Sequence, residues 1–194
     1  MRRSSRLLSF ALACASGAIT ARAQSPTISP KPDSQVKKLA VMVGKFTDEG
    51  EMKAGAVGPN SPAMKVTGID DCRWASGGFS VTCTHTEDVG GTKVSEASFI
   101  YYDPISKTYQ FHGVDSTGQI DHSVGTVSGD TWTWVGESII EGKVWKSRFV
   151  MKFVSKDSYE YTADGGESEN TMKVFLTGKE TRVATKAASS KPAQ

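Results

Sequence analysis

The feature that most constrains the fold is a succession of ten short runs rich in β-branched and aromatic residues between Lys45 and Arg182. Each run ends at a turn signal, such as Ser76-Gly77-Gly78 or Asp103-Pro104, that does not support a long helix. The pattern predicts a meander of ten antiparallel strands near residues 45–53, 64–75, 79–87, 94–102, 107–115, 119–128, 131–138, 143–154, 158–163 and 171–182.

Several of these predicted strands alternate apolar and polar residues, which identifies the face that turns inward. In the eighth, Trp145 and Phe149 fall on one face with Met151, while lysine and arginine occupy the other. In the third, Val81 and Cys83 share a face. Half-polar strands suit an antiparallel sheet with one solvated side. We therefore predict an all-β, up-and-down barrel without free edges, and a two-sheet β-sandwich is the alternative.

The segments before and after the predicted strands differ from them in composition. Residues 24–33 contain three prolines and indicate an extended leader. Residues 34–43 place apolar residues at helical spacing, with Asp33 or Ser34 available as the N-cap and Gly44 at the end, so we predict one short helix that plugs an open end of the barrel. Residues 183–194 lack a core pattern and indicate a disordered tail. The barrel domain is therefore predicted to span residues 34–182.

The first 23 residues have the three parts of a secretory signal peptide. Arg2, Arg3 and Arg6 precede an apolar stretch over residues 7–19, and Ala21-Arg22-Ala23 provides the cleavage site. The apolar stretch is shorter than the roughly 20 residues that cross a bilayer, and no later segment approaches that length. The sequence predicts export to the periplasm or the extracellular medium, without a membrane span.

Net charge changes sign when the predicted signal peptide is removed. The whole chain carries 23 Lys and Arg against 21 Asp and Glu, a formal charge of +2. Residues 1–23 contain four arginines and no acid, which leaves 19 basic residues against 21 acidic ones in the mature protein. The remaining Lys and Arg residues are scattered, so neither nucleic acid nor an anionic membrane surface is predicted as a partner.

Two cysteines remain in the predicted mature chain, and an even count in an exported protein favours a disulfide. If Gly77-Gly78 forms a two-residue hairpin loop, Cys72 lies opposite Cys83 and Trp74 lies opposite Val81. Opposed Cα atoms in such a pair are about 4.5 to 5.5 Å apart, within the range that a disulfide accepts. We predict a Cys72–Cys83 disulfide, and two buried free thiols are the alternative.

Four short motifs follow one another along the chain. They are L-x-x-x-x-G-x-F at Leu39 to Phe46, R-W-x-x-x-G-F at Arg73 to Phe79, Y-D-P at Tyr102 to Pro104, and D-S-x-G at Asp115 to Gly118. Together they resemble the domain-of-unknown-function 1579 family of exported bacterial proteins, over residues 39–182. The resemblance implies the fold and export but no settled activity. Gly113 departs from it, standing where relatives often carry tryptophan.

A second, more distant resemblance concerns the two ends of the barrel. Gly44-Lys45-Phe46 and the terminal Arg182 are similar to the opening and closing strands of lipocalin and fatty-acid-binding proteins, the calycin-like barrels. The resemblance implies that Arg182 stacks on Phe46, a contact worth about 0.5 to 2 kcal/mol. The alternative is an Arg182 that is merely solvated.

Motifs for catalysis are scarce in this sequence. A serine elbow, a P-loop and a dinucleotide-binding glycine motif are all absent. His85-Thr86-Glu87 matches half of a zinc-deaminase signature without the cysteine half, on a predicted strand instead of a helix. We therefore predict no catalytic residue, no metal site and no cofactor.

His112 and His122 form a more interesting candidate pair. They lie opposite each other if Ser116 to Gly118 is a three-residue loop with Gly118 in the left-handed conformation, and on opposite faces if the loop has two residues. Such a pair suits two metal ligands, a proton relay or a polar patch within a ligand cavity. Haem binding needs one of these histidines to reach the cavity, and it is a minor alternative because the G-x-W-x-G-x-G entry of ten-stranded haem-binding barrels is absent from the sequence.

The leading functional hypothesis is an exported, non-enzymatic barrel that binds a small apolar or amphipathic ligand. The aromatic residues either line a pocket or fill the barrel, and ten strands leave more room than eight. An envelope structural or interaction protein with a packed barrel is the second hypothesis, and an enzyme or a haem- or metal-binding barrel that uses His112 and His122 is the third. The predicted ligand-binding residues are Trp74, Phe99, Tyr101, Tyr109, His112, His122, Trp145 and Phe149, with Phe111 as a further candidate for the pocket lining.

Overall fold

The computed structural model describes residues 31–184 apart from Glu141. The predicted signal peptide, residues 24–30 of the leader and residues 185–194 of the tail lie outside the described residues. Helix α1 (Ser34–Lys38) continues into a 3-10 turn (Leu39–Met42). The strands are β1 (Gly44–Met52), β2 (Met64–Trp74), β3 (Ser80–Val89), β4 (Thr92–Asp103), β5 (Thr108–Asp115), β6 (Ile120–Ser128), β7 (Thr131–Ile140), β8 (Lys143–Ser155), β9 (Ser158–Gly166) and β10 (Lys173–Arg182).

These ten strands form one closed barrel in which each strand pairs with its neighbours in sequence. The last strand returns to the first, so that β10 pairs antiparallel with β1 from Phe46 opposite Arg182 to Met52 opposite Leu176. Closure leaves no sheet edge exposed. The predicted all-β, up-and-down barrel is confirmed, and the described chain is not a two-sheet sandwich.

The N-terminal helix covers one end of the barrel. Asp33 is its N-cap, because the carboxylate of Asp33 accepts hydrogen bonds from the backbone N–H groups of Gln35 and Val36 at 2.7 and 3.0 Å. Leu39 is fully buried in the core cluster. The hydroxyl of Tyr109 donates to the carbonyl of Gln35 at 3.0 Å, which ties the helix to the barrel wall. No helix among the described residues is long and apolar enough to cross a membrane.

Arg182 closes the barrel at the same end. Its guanidinium lies 4.3 Å from the centre of the Phe46 ring and donates to the backbone carbonyls of Val43 and Val41. The stacking implied by the calycin-like resemblance is therefore present, and Arg182 is not merely solvated. A cation on an aromatic face, with its donors satisfied by carbonyls, fixes the first strand against the last.

Two hairpins have the predicted register. Cys72 lies opposite Cys83 and Trp74 opposite Val81, and the two cysteines form a disulfide. The connecting turn is a 3-10 turn over Ser76–Gly78 instead of a two-residue loop.

The second hairpin brings the two histidines together. His112 lies opposite His122, as predicted for a three-residue loop in which Gly118 has a positive φ of 86°. The backbone N–H of Asp115 donates to the carbonyl of Gln119 at 3.0 Å, which closes the turn. The register prediction for both hairpins is confirmed.

Candidate functional site

The barrel interior is hollow. A cavity of about 820 Å³ extends from the core around Met42 and Phe46 to the far end of the barrel, where Met52, Val57 and Met64 line it. Val57 is 64% exposed, so the lining at that end includes a residue of the protein surface. The volume is within the range of small-molecule sites, which is roughly 300 to 1,000 Å³.

One side of the cavity is apolar and aromatic. Trp134 projects into it from β7, and Trp145, Phe149 and Met151 do so from β8. Phe111 on β5 packs edge-on against Trp134 with ring centres 6.1 Å apart. As predicted from the alternation of apolar and polar residues in β8, its aromatic residues face inward. This apolar wall offers area for the body of a ligand.

The other side of the cavity is acidic, and strand register explains why. Residues that are directly paired across a ladder share a face of the sheet. Glu180 on β10 is paired with Asp48 on β1. Asp70 on β2 is paired with His85 on β3, and His85 with Glu96 on β4. Neighbouring strands thus place their carboxyl groups on one arc of the interior wall, and Glu87, Asp115 and Asp121 extend it.

His85 is the basic centre of this arc. Its Nδ1 lies 2.7 Å from a carboxylate oxygen of Asp70, and its Nε2 lies 3.4 Å from one of Glu87. Burial alone would lower the pKa of His85, but the hydrogen bonds and charges of these two acids outweigh burial and raise the pKa to about 11. His85 is therefore an imidazolium at neutral pH, and each of its ring nitrogens faces a carboxylate.

Asp48 and Glu180 are the most deeply buried acids of the arc, at 4% and 5% exposure. Burial raises the pKa of Asp48 to about 6, although the hydroxyl of Tyr161 donates to its carboxylate at 2.7 Å and opposes the rise. Burial, followed by the charge of Asp70, raises the pKa of Glu180 to about 9. The Oε2 atom of Glu180 is buried without a hydrogen-bond partner among the described residues. A buried polar atom of this kind is costly unless something else satisfies it.

Glu96 is the third acid of the arc whose pKa is raised. Burial, followed by the charge of Asp121, raises the pKa of Glu96 to about 7. Gly113 lies opposite Ser98, next to Glu96 on β4, and a side chain at Gly113 would collide with the Glu96 carboxyl group. The lack of a side chain at Gly113 therefore makes room for this carboxyl group.

This arrangement favours binding over proton transfer. An imidazolium held by two carboxylates is a poor general base, because its nitrogens are protonated throughout the neutral range. Among residues 31–140 and 142–184, no three His, Cys, Asp or Glu side chains are grouped so as to hold a metal ion. What remains is an apolar cavity with a few convergent polar groups, which is the usual composition of a ligand site.

The residues proposed from the sequence divide between three places. Trp145 and Phe149 line the cavity, as does Phe111. Tyr109 is buried in the core beside the helix, and Trp74 is half exposed at the start of the Ser76–Gly78 turn.

The other four predicted residues have side chains on the outer face of the barrel, and one of them, His122, also borders the cavity. Phe99, Tyr101, His112 and His122 form a column there, with His112 stacked on His122 at 4.5 Å and on Tyr101 at 6.0 Å. Phe99 is paired with His112, and both face outward because their neighbours in the strands face the cavity. His122 is itself exposed, and its outward side chain borders Gln110. Phe99, Tyr101 and His112 are therefore not among the described residues that line the cavity, since alternation turns the adjacent residues inward, whereas His122 does border it.

The sequence analysis does not identify most of the polar residues of the cavity. Asp48, Asp70, Glu96 and Glu180 had no role assigned, and His85 and Glu87 were considered only as part of an incomplete metal motif. A signal was present, because His85 and Glu87 follow Cys83 by two and four residues and must share its face.

Solved structures resemble the fold, and two of them are described here. Rv2717c from M. tuberculosis superposes with a TM-score of 0.56 at 12% identity, over 79% of this chain and 100% of the other. The S-type phycobiliprotein lyase CPES from Guillardia theta superposes with a TM-score of 0.50 at 13% identity, over 79% and 95% of the two chains. At these identities the likeness concerns the barrel fold alone. No curated protein matches the chain.

A family model described as "Protein of unknown function (DUF1579)" matches residues 31–182, which include the helix and all ten strands. The match covers the four motifs that carried the resemblance in the sequence. The chain belongs to the DUF1579 family of proteins of unknown function.

Proposed function

We propose that the protein is an exported binding protein that holds a small amphipathic molecule inside its barrel. The observation that carries the proposal is the hollow interior of about 820 Å³, with an aromatic wall on one side and buried carboxyl groups on the other. An apolar ligand body gains roughly 25 cal/mol for each Å² that it removes from water. The carboxyl groups orient the polar end of the ligand.

Export is part of this proposal. It rests on the signal peptide predicted for residues 1–23 and agrees with the Cys72–Cys83 disulfide, since disulfides persist in oxidising compartments. Fractionation of the producing cell, followed by the mass of the intact protein, tests it. A mature chain that begins at Gln24 is expected, and a cytoplasmic chain that retains residue 1 would contradict export.

Ligand binding is tested by titrating the mature protein with N-phenyl-1-naphthylamine, a neutral apolar probe that fluoresces when it leaves water. Saturable binding is expected, together with a change in tryptophan fluorescence, because Trp134 and Trp145 line the cavity. Absence of saturable binding by a folded, oxidised protein would contradict the proposal.

A matched pair of variants locates the bound probe. Ala163→Phe places a phenyl ring in the cavity, because Ala163 is buried and lines it. Ala97→Phe makes the same change at an exposed position of β4 whose strand neighbours face inward. Ala163→Phe should weaken probe binding at least about tenfold, while Ala97→Phe should leave it unchanged. Equal effects of the two variants would place the probe outside the barrel. Thermal unfolding of both variants shows whether each is folded.

The second candidate function is a contact surface for another envelope protein. It is supported by exposed apolar residues on the outer face of three successive strands: Phe99 on β4 at 40% exposure, Val114 on β5 at 48% and Ile120 on β6 at 69%. Ile120→Lys should then release the protein from the envelope fraction without changing probe binding. The hypothesis of a packed barrel is not retained, because the interior is hollow.

A further inference from the structure

We propose that the ligand is an organic cation, a molecule with a positively charged nitrogen on an apolar body. The nitrogen lies against Asp48, Asp70 and Glu180, and the body lies against the aromatic wall of β7 and β8. This inference rests on the proposed function, since it names the chemical class of the molecule inside the barrel.

The first step is the position of the buried acids. Asp48 and Glu180 are directly paired across β1 and β10, and Asp70 follows on β2, opposite Phe46. All three line the cavity. The Oε2 atom of Glu180 is buried, and none of the described residues bonds to it. A ligand nitrogen that donates to this atom supplies a hydrogen bond that the described residues do not.

The second step is the balance of charge. Seven carboxyl side chains line the cavity. Among the described residues, three basic side chains border the cavity: His85, His122 and Arg148. His85 is already held by Asp70 and Glu87. The side chain of Arg148 is half exposed and bound to Asp164, and that of His122 is exposed beside Gln110. Carboxyl groups therefore remain in excess. This charge repels an anionic molecule such as a fatty acid and attracts a cation.

The third step separates an organic cation from a metal ion. The acids are not grouped closely enough for three of them to ligate a metal among residues 31–140 and 142–184. The opposite wall carries Trp134, Trp145 and Phe149. Aromatic faces attract ammonium groups and also cover apolar carbon, whereas they offer no oxygen ligand to a hydrated metal ion.

Proton release should accompany binding, because a nearby cation favours the ionised form of each acid. Glu180 is faced by Tyr159 from β9, Asp48 from β1 and Asp70 from β2. Burial keeps the pKa of Asp48 at about 6 and that of Glu180 at about 9 in the empty protein. Cation binding should therefore tighten as pH rises from 5 to 9.

Glu96 contributes to the same trend from the other end of the acidic arc. It is faced by His85 from β3, Asp115 from β5 and Asp121 from β6, and its pKa is raised to about 7. The imidazolium of His85 opposes this rise, and Asp70 adds to it. Ionisation of Glu96 near neutral pH therefore adds a negative charge to the cavity as the solution becomes alkaline.

The test compares three molecules with the same ten-carbon chain and different charge. Decyltrimethylammonium, decanol and decanoate, each below its micelle concentration, compete with N-phenyl-1-naphthylamine for the mature, oxidised protein at pH 8. The cation should bind at least about tenfold more tightly than decanol, and decanoate more weakly than decanol. Equal affinities, or preference for decanoate, would overturn the inference and leave the proposed function intact. Failure of every molecule, including the neutral probe, would overturn both.

Variants then assign the preference to the buried acids. Glu180→Gln and Asp48→Asn are nearly isosteric and should each reduce the ratio of cation to decanol affinity several-fold, without weakening decanol. Glu49→Gln is the matched control, because Glu49 is exposed on the outer face of β1. An unchanged ratio in both folded cavity variants would contradict the assignment. The two acids are tested in separate variants. If one variant does not fold, the other still decides the assignment.

Discussion

Replacing Glu180 with glutamine should stabilise the protein, and the gain should grow as pH rises. Burial and the neighbouring charge of Asp70 raise the pKa of Glu180 from 4.5 to about 9. Between these two values the folded protein retains a proton that the unfolded chain releases. The free energy of unfolding of the wild-type protein must therefore fall as pH increases through this window. Glutamine does not titrate, so the variant lacks this contribution.

The magnitude follows from linkage. Each pH unit between the unfolded and folded pKa values changes the free energy of unfolding by about 1.4 kcal/mol. The interval from pH 5 to pH 8 lies inside the window, so Glu180 removes up to about 4 kcal/mol of stability over it. Part of this loss is recovered when neighbouring acids adjust their own protonation. We expect a difference of roughly 2 to 4 kcal/mol between the effects of the substitution at pH 8 and at pH 5.

Urea unfolding of the oxidised protein at pH 5 and pH 8 measures this difference. Any cost of burying the glutamine amide is present at both pH values and cancels. Glu49→Gln, on the outer face of β1, should show the same effect at both pH values. Parallel pH profiles for the wild type and Glu180→Gln, within about 1 kcal/mol, would refute the protonated, buried state of Glu180.

Three further predictions concern the framework of the barrel, each measured by urea unfolding at pH 7. The double substitution Cys72→Ser with Cys83→Ser should lower the free energy of unfolding by about 2 to 3 kcal/mol, and the intact wild-type mass should lie two hydrogens below that of the reduced protein. Asp33→Ala removes the N-cap of α1 and should cost about 1 kcal/mol. Arg182→Met removes the stacking on Phe46 and the bonds to backbone carbonyls, and should cost about 1 to 3 kcal/mol. Changes below 0.5 kcal/mol would contradict each of these assignments.

Most of the fold was predictable because strands and turns leave local signals. The predicted third strand ended at residue 87 and the observed β3 ends at Val89, and other boundaries differ by similar amounts. Turn chemistry also fixed register, since Gly118 in the left-handed region aligns His112 with His122. The turn after Trp74 was less predictable, because a 3-10 turn over Ser76–Gly78 preserves the same pairing as a two-residue loop.

The site was less predictable. Its residues were predicted from their aromatic character, whereas the direction in which each side chain points decides whether it lines the cavity. Residues 99–102 are all apolar or aromatic, so their composition does not reveal which of them turn inward. Ile100 lines the cavity, whereas Phe99 is exposed. In β8 the prediction succeeded, because lysine and arginine alternate with Trp145 and Phe149 and mark the solvated face. Alternation identifies a face only where the two sides differ in polarity.

In this barrel the buried disulfide shows which residues of β2 and β3 face the interior. Cys72 and Cys83 must share the interior face, and a period of two then places Asp70 and His85 on that face, opposite each other. Charged side chains on the same interior face as the disulfide are largely buried. Burying a charge is costly unless it is paired, so the presence of these residues has to be explained.

Pairing explains only part of the acidic arc. Asp70 and Glu87 are satisfied by the imidazolium of His85. No Lys, Arg or His within the described part of the chain forms an ion pair with Asp48, Glu96 or Glu180, and burial raises the pKa of each. Hydrophobic residues at these positions would fill the barrel and stabilise it further. Their carboxyl groups therefore weaken the empty protein, and a cation that enters the cavity would remove this destabilisation.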